Sequence, residues 1–182
     1  TATMVGFQLL KPIHILWINL ITDAFPAIAL GMEGAEEDIM KRPPRDADEG
    51  IFAGGLGIDV IYQGITVAIL TLVSYAYGCG ESHITGMTMA FVTLSLSEIF
   101  HSLNMRSRTR SIFKLKKHNA YLFGAMVLSF VLVLSVLYIP GLNTLFKLAP
   151  LSAADLLASI GIALAIIPVV EIVKLARSGR GK

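Results

Sequence analysis

Asn19-Leu20-Ile21-Thr22-Asp23-Ala24-Phe25-Pro26 lies inside an apolar run long enough to cross a bilayer, and it places an amide, a hydroxyl, a carboxylate and a proline there. An acidic side chain at the centre of a membrane helix costs roughly 2.5–3.5 kcal/mol on insertion scales. A chain that carries one there is expected to handle a cation, a proton or another buried charge. The first functional expectation is therefore ion transport.

The surrounding sequence supports a membrane setting. Of 182 residues, 54% are hydrophobic and 15% charged, and the mean hydropathy is +0.70, outside the range of soluble domains. Apolar stretches at about 13–32, 54–78, 87–105, 119–139 and 151–175 each approach the roughly 20 residues needed to span the hydrocarbon core. The expected fold is all-α, a polytopic bundle of five transmembrane helices whose first helix is broken by proline. Barrel strands alternate apolar and polar residues over about 10 positions; these runs are continuously apolar, which argues against a barrel.

Basic residues orient the bundle. They crowd the loop after the third span (Arg106, Arg108, Arg110, Lys114, Lys116, Lys117), the C-terminal tail (Lys174, Arg177, Arg180, Lys182) and the loop after the first span (Lys41, Arg42, Arg45). The opposite side carries Lys147 between spans four and five and no Lys or Arg between spans two and three. The positive-inside rule then places the C-terminus in the cytoplasm and, with five spans, the N-terminus outside. Residues 1–10 have no basic n-region, cleavage site or initiator methionine, so they are not a signal peptide and the chain reads as a piece of a larger protein. The lone Cys79 reads as a bystander. The net charge of +2 follows from topology and implies no nucleic-acid partner.

In an α-helix, residues three and four apart share a face, so Asn19, Thr22 and Asp23 are expected to present three hard oxygen donors to one point. Pro26 has no N–H for the Thr22 carbonyl four residues earlier, which is expected to add a backbone oxygen. Calcium suits such a set, taking about 6–8 oxygens in flexible geometry, whereas magnesium gives up its water reluctantly. Asn19 and Thr22 alone read equally well as interhelical glue; Asp23 and Pro26 on the same face favour a site.

Glu98, eight residues before the basic loop and so about 12 Å into the bilayer, is the second buried carboxylate. Ser95, Glu98, His101 and Ser102 share its helical face, which is expected to turn inward. His101 reads as a satisfied partner ahead of a proton relay. Asp59 and Gln63 read as structural, and Glu171 with Lys174 as an interfacial ion pair. Gly54, Gly55, Gly57 and Gly64 are expected to allow close helix approach, and Pro168 to kink the last span.

The string L-W-I-N-L-I-T-D-A-F-P-A-I-A-L-G-M-E-G-A-E-E-D-I-M-K-R-P-P-R, Leu16 to Arg45, resembles the sixth transmembrane helix and following cytoplasmic loop of the P-type cation-transporting ATPases, closest to the type II calcium pumps. S-E-I-F-H-S-L-N-M-R-S, Ser97 to Ser107, resembles the end of their eighth helix, and F-K-L-A-P-L, Phe146 to Leu151, the approach to their tenth. The resemblance covers nearly the whole chain, as the sixth to tenth helices. It implies calcium ligation by Asn19, Thr22 and Asp23, with Asp23 bridging two sites, and a further carboxylate at Glu98. It also implies that the acidic run Glu33, Glu36, Glu37 and Asp38, followed by Arg42-Pro43-Pro44-Arg45, couples the membrane site to a phosphorylation domain.

Departures are Ala24 where the calcium pumps have glycine, Gly34-Ala35 for a proline pair, and Lys41 for an acid. The short turn at 79–86 resembles prokaryotic pumps, which implies a bacterial plasma membrane and no accessory subunit. The expected partners are the lipid bilayer and the remainder of the pump, including its fourth and fifth helices. ATP and Mg2+ belong to the missing cytoplasmic domains, so this chain alone is not expected to hydrolyse ATP. The alternatives are the ion-binding bundle of a secondary transporter or channel, a P-type pump for Na+, H+ or Mg2+, and a purely structural bundle.

Overall fold

The fold is described from a computed structural model, in residues 9–34, 50, 55–108, 110–115 and 118–180. These residues form helices and no strand. The first span is built in three pieces: α1 (Pro12–Trp17), a π-helical turn (Ile18–Asp23) and α2 (Ala24–Gly31). Pro12 opens α1, where its missing N–H costs nothing. Then come α3 (Leu56–Cys79), α4 (His83–Met105), α5 (Ala120–Tyr138), the short α6 (Leu142–Phe146), α7 (Ala153–Leu164) and α8 (Ile166–Arg180). Side-chain caps hold several starts: Ser82 accepts from Thr85 N–H, Asn119 from Leu122 N–H and Ser152 from Asp155 N–H. The last span breaks at Ala165, between α7 and α8, three residues before Pro168, whose ring would meet the Leu164 carbonyl in a continuous helix.

Four segments are long and apolar enough to cross a membrane: Pro12–Gly31, Leu56–Cys79, Ala120–Tyr138 and Ala153–Arg177. The fifth expected span, α4, has 23 residues but is more polar than the others. The reason lies in its position: α4 packs against α2, the π turn, α3, α5, α7 and α8. Its Thr88, Thr93, Ser95 and Ser97 are fully buried against protein, so it is shielded from lipid by its neighbours. The outer helices do the reverse. Ile58, Ile61, Ile65, Ile69 and Leu72 form an exposed stripe at helical spacing along α3, suited to lipid.

The core is centred on α4. Met89, Phe91, Val92, Leu96 and Ile99 pack with Val133, Val136 and Leu137 of α5 and Ala163 of α7. The tightest helix contact joins α3 to α4 across their short turn, where a Cβ built on Gly78 would lie 2.8 Å from the Gly86 Cα. Close approach therefore falls at Gly78 and Gly86, a pair the sequence reading did not single out. At Gly64 the corresponding space is open.

Candidate cation site in the broken first span

The π turn alters the face expected from sequence. Its i→i+5 register widens the helix by one residue, so positions three apart no longer align. Thr22 turns fully inward and its hydroxyl donates to the Ile18 carbonyl at 2.8 Å. Asn19 faces outward and is exposed, while Asp23 is half-buried. Asn19, Thr22 and Asp23 are thus fanned around the turn rather than stacked on one stripe. Pro26 is buried. Next to the Thr22 carbonyl that it cannot serve, the Ile21 carbonyl accepts a hydrogen bond from Ser129 Oγ of α5 at 3.4 Å.

Glu98 lies across from this turn. It is half-buried on α4, which packs directly against the π segment that ends at Asp23. One turn before Glu98, the Ser95 hydroxyl is fully buried and has no hydrogen-bond partner among the described residues; the same holds for Ser97. Buried hydroxyls without partners cost about 1–3 kcal/mol each and mark places where an ion, a water or a further polar group belongs. Among the described residues, no three His, Cys, Asp or Glu side chains converge as a metal cluster. Two carboxylates fall well short of the oxygens calcium requires, so ligands from other helices would be needed to complete a site. Asn19, with Leu16 and Leu20 beside it, forms an exposed face.

At the arginine-rich end of the bundle, polar groups form a hydrogen-bonded network, in which the buried Asn104 Oδ1 and Glu171 Oε2 have no partner among the described residues. His101 Nε2–H donates to Gln63 Oε1 at 3.2 Å, and Nδ1 accepts from Asn104 Nδ2 at 3.4 Å; His101 is thus a partnered neutral imidazole. Asp59, buried on α3, pairs with Arg108 Nε at 2.8 Å and with Arg177. Glu171 and Lys174 form a buried pair at 3.2 Å, and Lys174 Nζ also donates to the Asn104 carbonyl at 2.9 Å.

A three-element tie at this end was not visible in the sequence. Arg106 at the end of α4 donates through Nε and Nη2 to Glu33, just beyond α2, the shortest contact being 2.8 Å. Asn119, capping α5, donates to Glu33 Oε2 at 2.8 Å and to the Ala29 carbonyl at 2.9 Å. The Arg106 hydrogen bond holds the Glu33 carboxyl below the usual range; burial opposes this and the Asn119 bond assists it. The acidic and proline-rich stretch from 35 to 45, expected to couple the site to a phosphorylation domain, lies outside the described residues.

Residues 7–176 match the family model described as cation transporting ATPase, C-terminus. The chain is 36% identical to calcium-transporting ATPase 1 of Bacillus cereus, covering 92% of this chain and 21% of that protein. It is 38% identical to a calcium-transporting ATPase of Bacillus subtilis, with 84% and 17% covered. It is 31% identical to human calcium-transporting ATPase type 2C member 1, with 100% and 20% covered. The chain therefore spans about a fifth of the length of these relatives.

Proposed function

The chain belongs to the family of cation-transporting ATPase C-termini, and from that premise we propose that it is the membrane portion of an ATP-driven calcium pump that supplies part of its transport site. The supporting observation is Asp23, on a π turn beside a buried proline, in the segment against which the Glu98-bearing central helix packs. π turns inserted in α-helices occur often at functional sites. Carboxylates on packed segments of a membrane core are costly in their charged forms, and a bound cation relieves that cost.

In this reading Asp23 and Glu98 supply the charge, and Asn19 and Thr22 supply neutral oxygens. The remaining donors come from helices of the parent protein that dock on the face bearing Asn19. The calcium-transporting relatives favour calcium over sodium, protons or magnesium. The segment beyond Glu33 couples the site to the phosphorylation domain, and the Arg106–Glu33–Asn119 tie fixes where that segment leaves the bundle. ATP and Mg2+ act on the cytoplasmic domains, the C-terminus is cytoplasmic, and the membrane is a bacterial plasma membrane.

Domain movements driven by phosphorylation alternate the site between two states, and transport requires that these differ in affinity for the ion. Equilibrium binding of radiolabelled calcium to the full-length protein tests the proposal. Binding that is saturable, is not displaced by excess Mg2+, and is weakened by Asp23→Asn supports it. Calcium binding indifferent to Asp23 refutes it.

A further inference from the structure

The end of the bundle opposite Arg106 and Lys174 is poor in charge. Over residues 9–11, 80–83 and 139–152 the basic side chains are Lys11, His83 and Lys147, and the acidic one is Glu81. These segments are distant in sequence, yet the three basic residues line one cleft of about 390 Å³ with Ile84, Met87 and Leu148 at its apolar side; Glu81 does not line it. We propose that this cleft binds a phosphate group, carried either by a phospholipid headgroup or by a soluble phosphate.

Two observations indicate that the cleft is built for a ligand. First, Lys147 adopts the left-handed conformation (φ 54) as the residue closing α6, a place glycine fills without strain. A lysine held there at an energetic cost is consistent with a use for its side chain.

Second, the backbones carrying the two lysines are clasped by one buried imidazole. His14 Nδ1 accepts the Lys11 N–H at 3.2 Å, and its Nε2–H donates to the Phe146 carbonyl at 2.7 Å. That carbonyl belongs to the peptide bond leading into Lys147. On the other side, Ala149 N–H donates to Thr88 Oγ1 of α4 at 3.0 Å. His83 is oriented by the Tyr75 hydroxyl at 2.9 Å. The ammonium groups thus project from backbones fixed before any ligand arrives, which lowers the cost of binding.

Lysines are point-charge binders of phosphate. On the apolar side of the cleft Ile84 is exposed while Met87 and Leu148 are buried, and this side suits the glycerol and first acyl carbons of a phospholipid.

The test uses the full-length protein in detergent, with native mass spectrometry counting bound phosphatidylglycerol. Diacylglycerol of the same chain length serves as the phosphate-free comparison, and inorganic phosphate as competitor. The variants are Lys11→Gln and Lys147→Gly, the second chosen because glycine suits the left-handed position and protects the fold. The expected result is loss of one tightly held phosphatidylglycerol per molecule in the double variant, with affinity about tenfold weaker, and no equivalent diacylglycerol binding to the wild type. Displacement of the lipid by inorganic phosphate identifies soluble phosphate as a second source of the same group; resistance to displacement assigns the cleft to the headgroup. Retention of that lipid by the double variant, or diacylglycerol bound as tightly as phosphatidylglycerol, overturns the proposal. Neither readout depends on calcium, so the outcome is independent of the transport reading.

Discussion

Substituting Arg106 by Gln removes the guanidinium that holds Glu33 at the junction of α2, α4 and α5. The Arg106 side chain is 6% exposed and that of Glu33 21%, so the pair lies between a surface ion pair, worth at most about 1 kcal/mol, and a fully buried one, whose disruption costs about 3–5 kcal/mol. A loss of about 2 kcal/mol follows, because Glu33 keeps the Asn119 bond and reaches water. For a cooperative unit of 182 residues that lowers the melting midpoint by roughly 4–8 °C.

The pH dependence has a definite sign. The Glu33 carboxyl ordinarily titrates at 4.5 and lies lower in the folded protein. Its contribution is therefore fully present above 4.5 and is lost as pH falls through the depressed folded value. Melting midpoints in detergent, taken from pH 7 down to pH 3 for wild type, Arg106→Gln, Glu33→Gln and the double variant, measure both quantities. The wild type should lose more stability than Arg106→Gln below pH 4.5, and the cycle should show coupling of about 1 kcal/mol or more. Additive single substitutions with identical acid limbs would refute the reasoning.

Gly78→Ala forces a Cβ to within 2.8 Å of Gly86 Cα and should cost about 1–3 kcal/mol. Gly64→Ala meets nothing within 4 Å and should be neutral or gain up to about 1 kcal/mol; thermal melts compare the two. Lys174→Met strands a buried Glu171 and should cost about 3 kcal/mol or more, whereas Lys174→Met with Glu171→Leu should recover most of the loss, as read by melting in detergent. His14→Leu leaves the Phe146 carbonyl and the Lys11 N–H without their partner, and destabilisation of about 2–4 kcal/mol is expected in the same assay.

The membrane bundle was legible because length and hydropathy are local properties of sequence, and the break was legible because Asp23 and Pro26 violate the pattern around them. The π turn was not. An α-helix and a helix with one widened turn share the same residues, and the choice rests on distant contacts such as Ser129 with the Ile21 carbonyl. That one-residue widening separates Thr22 from Asn19. Glu171 and Lys174 were legible because their pairing lies within one helical turn; Arg106 with Glu33, 73 residues apart, and His14 with Phe146, 132 apart, depend on how helices stack. The polar character of α4 reads as weakness in a hydropathy profile and makes sense only once α4 is known to sit at the centre.

The claim that Asp23 and Glu98 are cation ligands is tested most directly by ATP-dependent phosphorylation of the full-length protein in membranes, titrated with calcium. Calcium should trigger an acyl-phosphate in the wild type, and Asp23→Asn and Glu98→Gln should each raise the calcium required by more than about tenfold, or about 1.4 kcal/mol of lost binding. An unchanged calcium dependence in both variants, or no acyl-phosphate with calcium at all, would contradict it.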